Sequence, residues 1–150
     1  TNTDYILSFL PETKQVQSEV QAYGTQLQNQ LQSKITDFQS KADAFQKTAA
    51  TMTDLIRADK QEELQNLQAS IQKFQNEAQT SIVQKEQDLF KPLFEKISNA
   101  INVVSEREKF THVFSAGVPG VDVLLYAKPT DDISNLVLAE LGIDPPPAKD

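Results

Sequence analysis

Apolar residues recur at intervals of three and four along most of the chain, and polar residues fill the positions between them. The first such set consists of Val16, Val20, Tyr23, Leu27, Leu31, Ile35, Phe38, Ala42, Phe45, Ala49 and Met52. The second consists of Leu64, Leu67, Ile71, Phe74, Ala78, Ile82, Leu89, Leu93, Ile97, Ala100 and Val104. This heptad-like spacing predicts two long helices that pack along a narrow apolar seam. All 17 glutamines lie between Gln15 and Gln87, where this good helix former fills positions between the apolar residues.

The turn between the two helices is expected near residues 51–53. Thr53 followed by Asp54 is typical of a helix start, with a capping residue and then an acidic first turn. Folding the chain back at this point predicts an antiparallel hairpin over residues 11–91, with its tip near residues 51–56. It also places Val16 level with Leu89 or Phe90.

A boundary is predicted where the two helices reach Pro11 and Pro92. Pro11 suits the first turn of the first helix, and Pro92 falls at the same level of the second helix, where it removes a backbone donor. A second apolar stripe of Phe90, Phe94 and Ile101 begins here. Because a helix with two apolar stripes must bury both faces, this end of the hairpin is expected to enter a body with further neighbours.

The periodicity changes after the second helix. Strands are predicted at about residues 110–115 and 121–127, on either side of a Gly-Val-Pro-Gly turn. A helix at about 133–141 follows and is expected to stop at Gly142. At the other end of the chain, a short helical turn is expected to pack Tyr5, Ile6 and Phe9 onto the same body.

The predicted fold class is therefore α+β and mostly α. It consists of a long antiparallel coiled-coil hairpin attached to a small β-containing oligomerisation body, formed by residues 1–10 and 92–150. Two strands and a short helix are marginal by themselves, and the chain has no Trp and only 7% aromatic residues. We therefore expect a homo-oligomer. Its candidate interface residues are Val113, Val121, Val123, Leu125, Phe90, Phe94, Ile97 and Ile101.

Three apolar residues, Met52, Leu55 and Ile56, lie at the predicted tip of the hairpin. In one interpretation they close the end of the coiled coil. In the other they form a flexible apolar contact site for another protein, here called the client. The sequence leaves both interpretations open.

Charge and composition exclude several classes of function. The net charge is −7, so the chain lacks the excess of basic residues that is typical of a nucleic-acid-binding protein. The same negative charge disfavours attraction to anionic lipid or lipopolysaccharide. No apolar run is long enough to span a membrane. The absence of cysteine excludes disulfides and thiolate chemistry. The chain starts without a signal-peptide pattern, which predicts a cytoplasmic, mature or trimmed chain.

Little in the sequence indicates catalysis, and no cofactor or metal site is predicted. The single histidine, His112, has no nucleophile motif near it and is better explained as a partly exposed strand residue. Asp131 and Asp132 provide too few ligands for calcium, and capping of the following helix explains them. We therefore expect that the protein is not an enzyme.

Several segments together resemble the Skp/OmpH family of periplasmic chaperones, most closely its Bacteroidetes-type members. These are TDYILSFLPETK at residues 3–14, the glutamine- and lysine-rich hairpin, LFKPLFEKISNAINVV at 89–104 and VLLYAKPTDDISNLVLAELG at 123–142. The resemblance implies a homotrimer in the periplasm, with short β segments joined in a central body. Its helical hairpins would enclose unfolded outer-membrane proteins and prevent their aggregation, without ATP, cofactor or catalytic residue.

Two departures from the family pattern stand out. Family members open with a strand before the Asp-Tyr segment, whereas this chain begins at Thr1 without one, and the best-known members are basic whereas this chain is acidic. A second hypothesis is a structural coiled-coil spacer or adaptor of the cell envelope. A fully closed, polar-faced hairpin would favour the spacer, and exposed apolar patches would favour the chaperone.

Overall fold

The computed structural model describes residues 1–116 and 126–146. Its elements in chain order are α1 (Thr3–Phe9), α2 (Pro11–Thr48), a 3-10 turn (Ala49–Thr51), α3 (Asp54–Arg107), a second 3-10 turn (Pro129–Asp131) and α4 (Ser134–Glu140). The two long helices predicted from the apolar periodicity are confirmed. Within the described ranges, no helix is both long and apolar enough to cross a membrane.

Contacts divide the chain into two compact units. The hairpin unit is Glu19–Glu86, and the body unit combines Thr1–Ser18 with Gln87–Asp150. Both long helices contribute residues to both units, and α3 continues through Pro92.

In the hairpin unit, α2 and α3 run antiparallel in a register that side-chain pairs define. The hydroxyl groups of Tyr23 and Ser81 lie 2.6 Å apart, and Lys41 Nζ donates to Glu63 Oε1 at 2.7 Å. The two members of each pair are equally far along the chain from Met52. The reversal predicted near residues 51–53 is therefore confirmed.

The start of α3 follows from ordinary capping. Thr53 Oγ1 accepts a hydrogen bond from the Ile56 N–H at 3.4 Å, and the Thr53 carbonyl accepts one from the Arg57 N–H at 2.9 Å. Asp54 occupies the first turn, near the positive end of the helix dipole. The predicted cap at Thr53 is confirmed.

The body unit contains the buried core of the described chain. Its buried side chains come from α1, the start of α2, one stripe of α3, and α4, and α1 and α4 are in contact. The buried apolar residues are Ile6, Leu7, Leu10, Val16, Leu93, Ile97, Ala100, Val104, Ile133, Val137 and Leu138. Burial of these side chains is the main apolar contribution to the stability of this unit.

The packing of α1 differs in part from the sequence-based expectation. Ile6 is fully buried as expected, but Phe9 is 36% exposed and makes an edge contact with Tyr5, with ring centroids 4.9 Å apart. Leu7 and Leu10 are buried instead. Phe9 was predicted to pack inward, and this is wrong because Leu7 and Leu10 occupy the inward face of this short helix.

Two hydrogen-bonded ends define α4. Asp132 Oδ1 accepts from the Ser134 N–H at 2.9 Å, although the N-cap residue of the helix is Ile133, one residue later than the aspartate pair. At the other end, Gly142 has a positive φ of 76°, and the Ile143 N–H donates to the Leu138 carbonyl at 2.9 Å. This is a Schellman arrangement, and it confirms the predicted stop at Gly142.

No β-strand occurs in the part of the chain that the structure describes, so the β-containing body stays a prediction. Residues 110–116 have irregular backbone. Two residues near the end of this segment form backbone hydrogen bonds with Thr1. The Thr1 amine donates to the Phe114 carbonyl at 3.1 Å, and the Ala116 N–H donates to the Thr1 carbonyl at 2.8 Å. One residue that bonds to two residues on either side of its neighbour is the hydrogen-bond pattern of parallel strands. Most of the second predicted strand lies outside the described residues.

Candidate binding surface of the hairpin

The seam of the hairpin unit is incompletely buried. No residue between Glu19 and Glu86 is buried, and the apolar residues of the seam keep partial exposure along its whole length. The seam side chains are therefore largely covered by the partner helix but nowhere fully buried. The large apolar side chains that this unit exposes are Leu55, Ile56 and Val83.

The tip of the hairpin is closed by a residue that the sequence analysis missed. Arg57 Nε donates to the Ala49 carbonyl and Arg57 Nη2 to the Met52 carbonyl, each at 3.2 Å, and Nη1 lies 3.3 Å from Asp54 Oδ1. The guanidinium group thus binds carbonyls of the 3-10 turn and of Met52, the residue that ends this turn. The sequence feature that could have predicted this role of Arg57 is its position, about one turn after the reversal, where a cation can bind the preceding carbonyls.

The three predicted tip residues divide between the two interpretations. Met52 is partly buried and lines a cavity of about 270 Å³ with Phe45 and Leu64, so it belongs to the closing seam. Leu55 is 82% exposed and Ile56 is 49% exposed. These two side chains do not close the coiled coil, and they form an exposed apolar tip.

An ion-pair cluster lies next to the tip. Glu63 accepts hydrogen bonds at 2.7 Å from Lys41 of the opposite helix and from Lys60 of its own helix. These hydrogen bonds, that of Lys41 first, lower the pKa of Glu63 to about 2. The cluster is exposed, so its effect on stability is small and screened by salt.

A larger opening lies halfway along the seam and is called the mid-hairpin groove. It has a volume of about 610 Å³ and lies between α2 and α3. Its lining residues are Gly24, Leu27, Gln28, Leu31, Gln72, Gln75, Asn76, Ala78, Gln79 and Ile82. The groove combines an apolar floor with side-chain amides and contains no charged group.

The candidate interface residues on α3 fall on two faces. Ile97 is 1% exposed and packs within the core of the body unit, whereas Phe94 is 47% exposed. Phe90 and Ile101 keep partial exposure, and the rings of Phe90 and Phe94 lie 6.1 Å apart. The stripe of Phe90, Phe94 and Ile101 is therefore apolar and open in the single chain.

The remaining interface candidates belong to the two predicted strands. Val113 is partly exposed, and Val121, Val123 and Leu125 lie outside the described residues.

The residues that the sequence analysis considered for catalysis or metal binding are His112, Asp131 and Asp132. His112 is exposed, with its ring 6.3 Å from that of Phe114 and its Nδ1 3.2 Å from Thr111 Oγ1. Asp131 lies in a 3-10 turn, and Asp132 accepts hydrogen bonds from the N–H and the hydroxyl group of Ser134. Among residues 1–116 and 126–146, no three histidine or acidic side chains are grouped in a way that could hold a metal ion.

An antiparallel helical hairpin, together with a small helical core, places the chain in the class of helical-hairpin proteins. More specifically, the chain belongs to the OmpH-like family, because the family model described as Outer membrane protein (OmpH-like) matches residues 1–141. The resemblance noted in the sequence is thereby confirmed. No curated protein matches the chain. Membership indicates a chaperone-type role in the periplasm.

Proposed function

We propose that this protein is an ATP-independent holdase that encloses unfolded outer-membrane proteins between its helical hairpins and prevents their aggregation. Membership of the OmpH-like family supports the general role. The finer assignment rests on the surface of the hairpin, which offers many weak apolar contacts in place of one deep site. Such contacts suit a client without fixed structure, because several weak contacts on one client act together as avidity.

The observation that carries the proposal is the incomplete burial of the seam. A spacer or adaptor needs a stiff hairpin, and stiffness is best achieved by a fully covered seam. Here no residue between Glu19 and Glu86 is buried, and Leu55 at the tip is 82% exposed. These exposed apolar side chains favour client binding over a spacer.

The same proposal includes a homotrimer, supported by the apolar stripe of the body unit. Phe94 is 47% exposed and Val103 is 48% exposed on α3, outside the stripe that the body buries. Exposed side chains of this size cost free energy that a partner subunit would recover, at about 25 cal/mol per Å² covered. A trimer would also arrange several hairpins around one client.

The decisive experiment is an aggregation assay. A urea-unfolded β-barrel membrane protein is diluted into detergent-free buffer without ATP, and light scattering is followed as this protein is added. We expect scattering to be suppressed at about one trimer per client, because a holdase acts by binding and does not turn over. Unchanged scattering at a stoichiometric amount would contradict the holdase proposal.

The contribution of the tip is tested with a double variant. Covering a large exposed apolar side chain contributes about 1.5–3 kcal/mol, so Leu55→Ser with Ile56→Ser should weaken client affinity about tenfold or more. The matched control is Val83→Ser, which removes a side chain that is 53% exposed elsewhere on α3. Equal loss in the two variants would show that the tip has no special part in client binding.

A further inference from the structure

The middle of the hairpin is almost free of charge. Residues 21–33 of α2 contain no Asp, Glu, Lys or Arg. The facing residues 71–83 of α3 contain only Lys73 and Glu77, whose charged groups lie 3.7 Å apart and balance each other. The mid-hairpin groove lies in this belt and has no charged lining residue, and the charge at the edge of the belt is that of Lys34, whose Nζ lies 5.5 Å from the centre of the Phe74 ring.

The groove has two chemically distinct kinds of wall. Its apolar lining residues, called the apolar floor, are Leu27, Leu31, Ala78 and Ile82, and five side-chain amides also line the groove. The amides belong to Gln28, Gln72, Gln75, Asn76 and Gln79. None of these five side chains forms a hydrogen bond with another group of the described chain. Each amide can both donate and accept.

The presence of glycine at position 24, inside α2, is not explained by helix formation. Its φ is not positive, and a Cβ built on it would lie 3.8 Å from Ile82 Cδ1, which is an ordinary contact distance. Alanine would therefore fit this position in the single chain, and glycine is much the poorer helix former. What glycine does provide is space, because the missing methyl group would face the groove beside Ile82.

We propose that the mid-hairpin groove binds the backbone of extended, uncharged segments of the unfolded client. This assignment rests on the proposed holdase function and specifies its ligand. An extended segment points alternate side chains in opposite directions, so one set can contact the apolar floor. Before a client barrel forms, its backbone N–H and C=O groups have only water as hydrogen-bond partner, and the groove amides can replace that water regardless of sequence. The groove volume of about 610 Å³ lies in the usual range of ligand sites.

The ligand class is tested with two short fluorescent peptides. Both are uncharged and alternate apolar and hydroxyl side chains, and in one of them alternate backbone nitrogens are methylated. Fluorescence anisotropy with the full chain should show binding of the unmethylated peptide, and about fivefold weaker binding for each hydrogen bond that methylation removes. Binding should change little between about 0.01 and 1 M salt, although the screening length falls from about 30 to 3 Å.

The site is tested with variants that remove amides and keep side-chain length. Gln75→Met with Gln79→Met should weaken peptide binding between about fivefold and 25-fold, because two hydrogen-bonding groups are lost. A groove that recognised only apolar surface would instead bind the peptide more tightly, since methionine adds apolar area. The matched control is Gln39→Met with Gln46→Met, two exposed positions of α2 outside the groove, and it should leave binding unchanged.

A third variant tests whether Gly24 provides space for a ligand, by an effect on binding that is opposite in direction to its effect on hairpin stability. Gly24→Ala should raise the melting temperature of the hairpin, because alanine favours the helix. It should also weaken peptide binding, because its methyl group enters the groove. A variant that is both more stable and equally tight in binding contradicts the role of Gly24.

The aggregation assay with the same variants distinguishes the two proposals. If wild-type chain suppresses aggregation but the methionine double variant binds the peptide as tightly or more tightly, the groove assignment is overturned and the holdase function stands. The groove assignment is also overturned if that variant changes the oligomeric state in sedimentation, because a second copy would then occupy the groove. If wild-type chain fails to suppress aggregation, the holdase function itself fails.

Discussion

Replacement of Ser134 with alanine should loosen α4 from the amino-terminal segment. The Ser134 side chain is 2% exposed, and its Oγ accepts from the Asn2 N–H at 2.8 Å and donates to Asp132 Oδ1 at 2.6 Å. Alanine leaves the Asn2 N–H without this acceptor, which costs about 1–3 kcal/mol, and also removes a charge-assisted hydrogen bond. We expect α4 to lose about 2–4 kcal/mol of local stability.

Native-state hydrogen exchange measures this loss where it occurs. The Val137 and Leu141 amides donate within the helix to the carbonyls of Ile133 and Val137, each at 3.0 Å. Because exchange of such amides reports the free energy of local opening, a loss of about 2 kcal/mol should lower their protection about 30-fold. The hairpin amides should be unaffected.

The matched control is Ser98→Ala, a substitution of the same type at an exposed position of α3. It should change protection little, since exposed substitutions usually lie within about 0.5 kcal/mol. Protection of Val137 and Leu141 within about threefold of wild type in Ser134→Ala would refute the assigned role of the hydroxyl group.

Three further predictions concern the ion-pair cluster, the helix stop and the predicted interface. The pKa of Glu63 in the folded hairpin is about 2, below its ordinary value of 4.5, so its stabilising contribution is complete above about pH 4.5 and is lost as the pH falls towards 2. An acid titration at low salt, followed by circular dichroism, should show a slightly smaller loss of stability between pH 4.5 and 2 in Glu63→Gln than in wild type, because the other carboxylates still titrate in both proteins. Gly142→Ala should destabilise α4 by about 1–2 kcal/mol in urea unfolding, because φ is 76° there, and a neutral result would exclude strain at this position. A charge at the predicted interface, introduced as Val123→Asp, should dissociate the oligomer, and an intact trimer in light scattering would contradict the proposed interface.

The hairpin was predictable because its information is local and periodic. The apolar spacing determines the helices, and Thr53 with Asp54 determines the turn, so the register that pairs Tyr23 with Ser81 follows directly. The stop at Gly142 was equally readable, because a positive φ strongly favours glycine.

The tip and the carboxy-terminal segment were less predictable for physical reasons. At the tip, the heptad pattern ends at Met52, so spacing cannot tell which of the following residues covers the turn, and Arg57 does so through hydrogen bonds. For residues 110–115, alternation of side chains indicates strand propensity, but a strand forms only when a neighbouring strand supplies its hydrogen bonds. In the described chain that neighbour is the single residue Thr1.

The lack of buried side chains between Glu19 and Glu86 has a mechanical consequence. Parting the two helices for one turn exposes the apolar area of one layer of partly buried seam side chains, and no layer between Glu19 and Glu86 contains a fully buried residue. The resistance of the hairpin to splaying is therefore spread evenly along its length, and no single tight layer limits it. Such a pair of helices is compliant: it can widen around a bulky ligand by small steps while each helix keeps its own backbone hydrogen bonds.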